Sequence, residues 1–133
     1  MNSGIILDTN IIVSGLVYGG LPKEILTKIL EKDVVGVTSL PLIAEAIRIL
    51  GEKFNFFSER IEEVQEMFKE HFLIVYPKQT IKIVRDEPDN RVLEAAIEGN
   101  CEFVVTGDKD LLTLGHYRGV KIVTAKEFKV IFV

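Results

Sequence analysis

Two short apolar runs in this chain each end in an aspartate. Gly4-Ile5-Ile6-Leu7 leads into Asp8-Thr9-Asn10, and Phe103-Val104-Val105-Thr106 leads into Gly107-Asp108-Lys109-Asp110. Runs so short and so uninterrupted have no polar face. Each reads as a strand buried on both sides, the kind found in a parallel sheet with helices above and below. Open α/β sheets build their sites in the loops that leave the C-terminal ends of such strands. Two strands that deliver acids to one edge imply a carboxylate cluster, which in this setting holds a divalent cation.

The rest of the chain supplies the layers. Val34–Thr38, Phe72–Val75, Glu102–Thr106 and Val120–Thr124 join Gly4–Leu7 as strand candidates. Helical patterns fall between and after them, at Asn10–Tyr18, Pro22–Lys32, Leu40–Glu52, Ser58–His71, Asp89–Gly99, Asp108–Leu114 and Ala125–Phe128. Pro22 suits a first helical turn, Ser58 suits a cap, and Gly99 suits a C-terminal stop. The expectation is an α/β fold with a central, mostly parallel, five-stranded twisted sheet, helices on both faces and right-handed crossovers.

At 133 residues, with 47% hydrophobic and 27% charged residues, the chain is expected to form one domain over residues 1–133. No apolar stretch is long enough to span a membrane, and no basic-then-apolar signal pattern opens the chain. The lone Cys101 fits a reducing cytoplasm. A net charge of −4 argues against binding nucleic acid through a strong overall field, although cations held by clustered acids would reverse the sign locally.

Other acids extend the edge cluster. Glu45 lies in Leu40-Pro41-Leu42-Ile43-Ala44-Glu45-Ala46-Ile47-Arg48-Ile49-Leu50, a helix apolar nearly all round and therefore expected to be buried. A buried carboxylate needs a partner or a metal, and Arg48, three residues on, is the internal partner at hand. Asp89 shares a helix face with Leu93 and Ala96, which points it inward. Asp8, Asp108 and either Asp86 or Asp89 can also be read as helix caps. Asp86 and Glu87 rank behind as ligands and read more simply as a solvated turn. Asp110 stands two residues beyond Asp108. Together with Asn10, Ser14 and Thr106 it can hydrogen-bond the acids or a metal-bound water.

Asp8, Glu45, Asp89 and Asp108 thus come from four separate elements and can converge at one edge. Their mutual repulsion calls for Mg²⁺ or Mn²⁺, which favour oxygen donors. The chain has no G-x-x-x-x-G-K-[ST] or G-x-G-x-x-G motif. Its two histidines, His71 at a helix end and His116 in a Gly-rich turn, do not suggest a zinc or nucleophile site.

At this point the chain resembles the PIN-domain family. The matching pieces are Leu7-Asp8-Thr9-Asn10-Ile11-Ile12-Val13-Ser14, the Glu45 segment, Asp86-Glu87-Pro88-Asp89-Asn90-Arg91-Val92-Leu93-Glu94-Ala95-Ala96, and Thr106-Gly107-Asp108-Lys109-Asp110-Leu111-Leu112. Val120–Phe128 resembles the family's last strand and helix. The resemblance implies a metal-dependent ribonuclease, often the toxin half of a VapBC-like toxin–antitoxin pair, which leaves 5′-phosphate and 3′-hydroxyl ends. It carries the family's acids onto Asp8, Glu45, Asp89 and Asp108, and it implies an antitoxin partner and a homodimer. Arg48, Lys53, Arg91 and Lys109 lie near enough to the acids in sequence to hold an RNA backbone, and each is otherwise a solvated surface charge.

Two other readings remain open from the residues. One is a non-catalytic module that binds RNA or an antitoxin. The other is a phosphoacceptor receiver domain with Lys126 after its last strand, although that fold wants an acidic pair where Asp8 is followed by Thr9. Phe54-Asn55-Phe56-Phe57 offers apolar side chains to either the core or a partner.

Overall fold

The computed structural model describes residues 4–132. In chain order the elements are β1 (Gly4–Leu7), α1 (Thr9–Val17), α2 (Gly20–Leu30), β2 (Val35–Ser39), α3 (Leu40–Phe54), α4 (Ser58–His71) and β3 (Phe72–Val75). There follow α5 (Glu87–Glu98), β4 (Phe103–Val105), α6 (Lys109–Leu114), β5 (His116–Tyr117), β6 (Val120–Val123) and α7 (Ala125–Phe132). The sheet order is β3-β2-β1-β4-β6-β5, with every pairing parallel except β5 with β6.

The sheet has six strands rather than five. The added strand, β5, is only two residues long and pairs antiparallel with β6, Tyr117 opposite Val120. Arg118 and Gly119 close the turn with φ of 47° and 86°. Positive φ at both central residues is what a two-residue hairpin requires. The Gly-rich turn around His116 is therefore there, but it joins two strands, and a two-residue strand has no periodicity to reveal it.

Alternation along the central strands explains the two helical layers. Ile5, Leu7, Phe103 and Val105 face one side, where α1, α2, α3, α4 and α7 cover them. Ile6, Val37, Val104 and Ile122 face the other side, under α5 and α6. Close approach is built in at Gly36. A Cβ there would lie 2.7 Å from Ile29 Cγ2 on α2 and 2.9 Å from Phe72 Cε2 on β3. Phe128 of α7 is fully buried edge-on to Phe103, with ring centroids 5.7 Å apart. No helix among the described residues is long and apolar enough to cross a membrane.

Two features of this topology position the site. The chain builds outward from β1 through β2 to β3, then returns to place β4 on the other side of β1. The crevice at the C-terminal ends of β1 and β4 is therefore the topological switch point, the usual ligand position in such sheets. The second feature is the stretch between β3 and α5, which has no regular structure of its own. One face of α5 satisfies its backbone. Glu98 accepts from the Lys78 amide at 3.0 Å, Glu94 from Ile81 at 2.8 Å, and Asn90 Oδ1 from Ile83 and Val84, both at 3.0 Å. Asn90 Nδ2 returns a bond to the Val84 carbonyl at 2.9 Å. These side chains recur every four residues, so they form a polar stripe down one helix face.

Candidate metal centre

Asp8 follows the last residue of β1, and its amide extends the sheet ladder to the Val105 carbonyl at 2.9 Å. Its own carbonyl accepts from the Ile11 and Ile12 amides and starts α1. The side chain does not cap that helix. It turns to β4, where Oδ2 accepts from Thr106 Oγ1 at 2.6 Å. Thr106 is wholly buried, and the same oxygen accepts from the Asp108 amide at 3.0 Å. One hydroxyl thus ties Asp8 to the loop that carries Asp108. Burial raises the Asp8 pKa above the usual carboxylate range. The Thr106 hydrogen bond opposes this, and the Asp108 charge adds to it.

Asp108 does cap its helix. Its Oδ1 accepts from the Asp110 and Leu111 amides at 2.9 and 3.3 Å. Capping occupies one oxygen only, and a carboxylate oxygen of Asp108 lies within 4.8 Å of others from Asp86 and Asp89. Cap and ligand are compatible roles for a group with about four lone-pair sites.

Asp89 is the least compensated acid of the three. It sits in the first turn of α5 and is only 5% exposed, yet its Oδ2 has no hydrogen-bond partner. Its pKa is pushed up to about 8. Burial contributes most, followed by contact with the Asp108 carboxylate and then by the charges of Asp108, Asp8 and Asp86. Two ionised carboxylates have no proton to share, so only a proton or a cation can hold that contact together. Asp86 is the N-cap residue of α5, but its side chain makes no capping hydrogen bond, and it is exposed.

Glu45 departs from expectation. The α3 helix is amphipathic rather than apolar all round, with Leu42, Ala46, Ile49 and Leu50 buried and Pro41, Ala44 and Arg48 exposed. The Glu45 side chain is 28% exposed and pairs with Arg48, Nη2 to Oε1 at 2.6 Å and Nε to Oε2 at 3.4 Å. The internal partner available in the sequence is the one the structure uses. Glu45 lies outside the three-acid group. It lines a smaller pocket of about 250 Å³ with Glu87, Pro88 and Arg91 of α5.

The other residues singled out in the sequence divide in the same way. Asn10, Ser14, Lys109 and Asp110 line an open groove of about 600 Å³ beside Asp108, together with Arg85. Arg91 is engaged within the fold. It pairs with Glu94 at 2.8 Å and Glu87 at 3.2 Å and donates to the Ile81 carbonyl at 3.3 Å. That network ties α5 to the stretch between β3 and α5. Arg48 is likewise taken by Glu45 and Glu52. Lys53 is exposed in the last turn of α3, about two turns beyond Glu45. The buried Cys101 thiol is pushed up to about 12 by burial and is core, not nucleophile. Phe54 and Phe56 pack against the core, whereas Phe57 is 79% exposed.

Two residues of the candidate site carry little signal in the sequence. Arg85 lines the groove and faces Asp110 across 3.6 Å. Asp86 joins the acid group. The one signal for Asp86 is its place three residues before Asp89, at the helix start. The fold that swings it beside Asp108 depends on the α5 polar stripe, which reads in sequence as an ordinary solvated face.

The donor set fits a hard divalent cation. It consists of carboxylate oxygens only, one of them buried without a partner, beside an open groove with room for water. Mg²⁺ and Mn²⁺ favour such a set.

Known proteins agree with this architecture. The family model described as PIN domain matches residues 4–110. The uncharacterized protein MJ1680 of Methanocaldococcus jannaschii is 31% identical over 115 residues, which cover 83% of this chain and 74% of that protein. Among solved structures, the fold is similar to a chain of VapBC2 from Rickettsia felis bound to a DNA fragment from their promoter. That likeness has a TM-score of 0.62 at 15% identity and covers 89% of this chain and 96% of that one. VapBC-1 from nontypeable Haemophilus influenzae gives 0.62 at 17% identity, with 92% and 98% covered. FitAcB from Neisseria gonorrhoeae gives 0.61 at 19%, with 92% and 98% covered. The receiver reading falls with these matches: this chain belongs to the PIN-domain family.

Proposed function

We propose that this chain is a Mg²⁺- or Mn²⁺-dependent endoribonuclease that hydrolyses RNA phosphodiester bonds. The observation that carries the reading is Asp89: a buried carboxylate with an unpartnered oxygen, pressed against two other acids. Left as an apo charge it destabilises the fold, and a structural role offers no return for that cost. When bound, the cation supplies a water of lowered pKa and neutralises charge on the phosphate and leaving oxygen.

The chain's own residues do the rest. Asp8, Asp89 and Asp108 hold the cation. Thr106 fixes Asp8 by donating to it and fixes Asp108 by accepting its amide. Glu45 borders the same sheet edge from α3 and adds its charge to the site once Arg48 releases it. Lys109 and Arg85 line the groove and offer positive charge to the RNA backbone, with Asn10, Ser14 and Asp110 as its polar lining. Incubating the purified protein with RNA in Mn²⁺, and again in chelator, tests this. Cleavage that needs Mn²⁺ and is lost in Asp8→Asn supports it. Equal cleavage by Asp8→Asn removes the site, and no cleavage in Mn²⁺ leaves a binding module.

The toxin role belongs to the same proposal. The fold's likeness to chains of VapBC and FitAcB complexes supports an antitoxin partner. A small DNA-binding protein encoded beside this one, which suppresses cleavage when co-expressed, would bear it out. Cleavage unaffected by that neighbour would point to a stand-alone nuclease.

A further inference from the structure

We propose that Asp86 is a ligand of the same cation, and that Asn90 is the positioning residue that holds it there; this rests on the metal-dependent reading above. Asp86, Asp89 and Asp108 each offer a carboxylate oxygen, and the three oxygens lie within 4.8 Å of one another. Around one Mg²⁺, with bonds near 2.1 Å, octahedral ligand oxygens lie about 3 to 4 Å apart. Closing the group on a cation therefore takes movements of under about 1 Å. The second observation is independent of the cluster's charge. Asp89 is only 5% exposed and its Oδ2 is buried with no hydrogen-bond partner, so one carboxylate of the group carries an oxygen that the fold leaves unsatisfied.

Asp86 is exposed and ends an irregular stretch, a poor setting for a ligand unless the backbone is held. Asn90 holds it. This side chain is almost wholly buried and makes bonds to both sides of the backbone just before Asp86, accepting from Ile83 and Val84 and donating to Val84. The Asp86 carbonyl in turn accepts from the Asp89 and Asn90 amides at 3.1 and 3.4 Å. The backbone that leads into Asp86 is thus fixed by a buried side-chain amide four residues beyond it. Glu45, by contrast, is held by Arg48 outside the group.

Calorimetric titration of the full chain with MnCl₂ tests this. Wild type is expected to bind Mn²⁺, Asp89→Asn to lose binding, and Asp86→Asn to weaken it about tenfold or more. Asn90→Ala is expected to weaken binding when Asp86 is present and to add little in the Asp86→Asn background. A merely structural role for Asn90 would instead weaken both backgrounds by the same factor and overturn its positioning role. Asp86→Asn decides the ligand even where Asn90→Ala does not fold, because Asp86 is exposed and its own substitution spares the core. If Asp86→Asn binds as wild type while Asp89→Asn does not, the Asp86 assignment is wrong and the cation reading stands. If wild type shows no saturable Mn²⁺ binding, both fail.

Discussion

The acids at the β1/β4 crevice and the acids along α3 and α5 are the same kind of side chain in opposite circumstances. Glu45 has Arg48, and Glu94 and Glu87 share Arg91. Each of those charges is answered within the fold. At the crevice, no lysine or arginine among the described residues pairs with Asp8, Asp86, Asp89 or Asp108, and Asp89 Oδ2 has no hydrogen-bond partner. What separates the two regions is the counter-charge the protein itself supplies rather than the number of acids.

The largest expected effect of breaking this contrast is at Asp89. Asp89→Asn should lower RNA cleavage by at least about 100-fold, since a bound cation contributes several kcal/mol to such a reaction. The same variant should be no less stable than wild type in chelator, measured by thermal melting, because it removes an unanswered charge. Loss of fold in Asp89→Asn would show that the carboxylate is structural.

Glu94→Ala probes the answered side. It removes the acceptor for the Ile81 amide and the closest partner of Arg91. Unfolding free energy should fall by about 2–3 kcal/mol in denaturant titration. A smaller drop would mean the stretch before α5 is held mainly by Asn90.

The pH dependence separates the two regions in one experiment. In the metal-free fold Asp89 titrates near 8, against an ordinary 3.8 in the unfolded chain. The folded state binds this proton more tightly, so its contribution to stability is full below the ordinary value and is lost as pH rises through about 8. In chelator, wild type should lose stability relative to Asp89→Asn as pH is raised from 5 to 8. Added Mn²⁺ should reverse that loss. Melting curves that run parallel across this range would argue against an uncompensated Asp89.

The smallest effect is expected at Arg48. Its pair with Glu45 is exposed, and such pairs contribute little. Arg48→Ala should leave the melting temperature within error of wild type. A clear drop would mean the pair belongs to the fold's framework after all.

The sequence shows which parts of this molecule are local and which are not. Asp8 and Asp108 are legible because an uninterrupted strand must be buried and must end at a sheet edge. The two helical layers follow from the same strands. Glu45 misleads because Leu42, Ile43, Ile47, Ile49 and Leu50 suggest a helix apolar all round, while the structure exposes Ala44 and Arg48 and keeps the acid near solvent. Nearness in sequence to Asp89 does not say which way the Arg91 guanidinium turns, and in the fold it turns to Glu87 and Glu94. Asp86 and the short strand β5 are hidden for a different reason. Each depends on contacts made across the fold, the α5 stripe for one and β6 for the other, and two or three residues carry no periodic signal of such contacts.

Anomalous diffraction from crystals grown with MnCl₂ tests the central contrast most directly. A manganese peak bounded by the carboxylates of Asp8, Asp86, Asp89 and Asp108 is the expected result. A crystal with no peak at that crevice, or with manganese seated elsewhere, would contradict it.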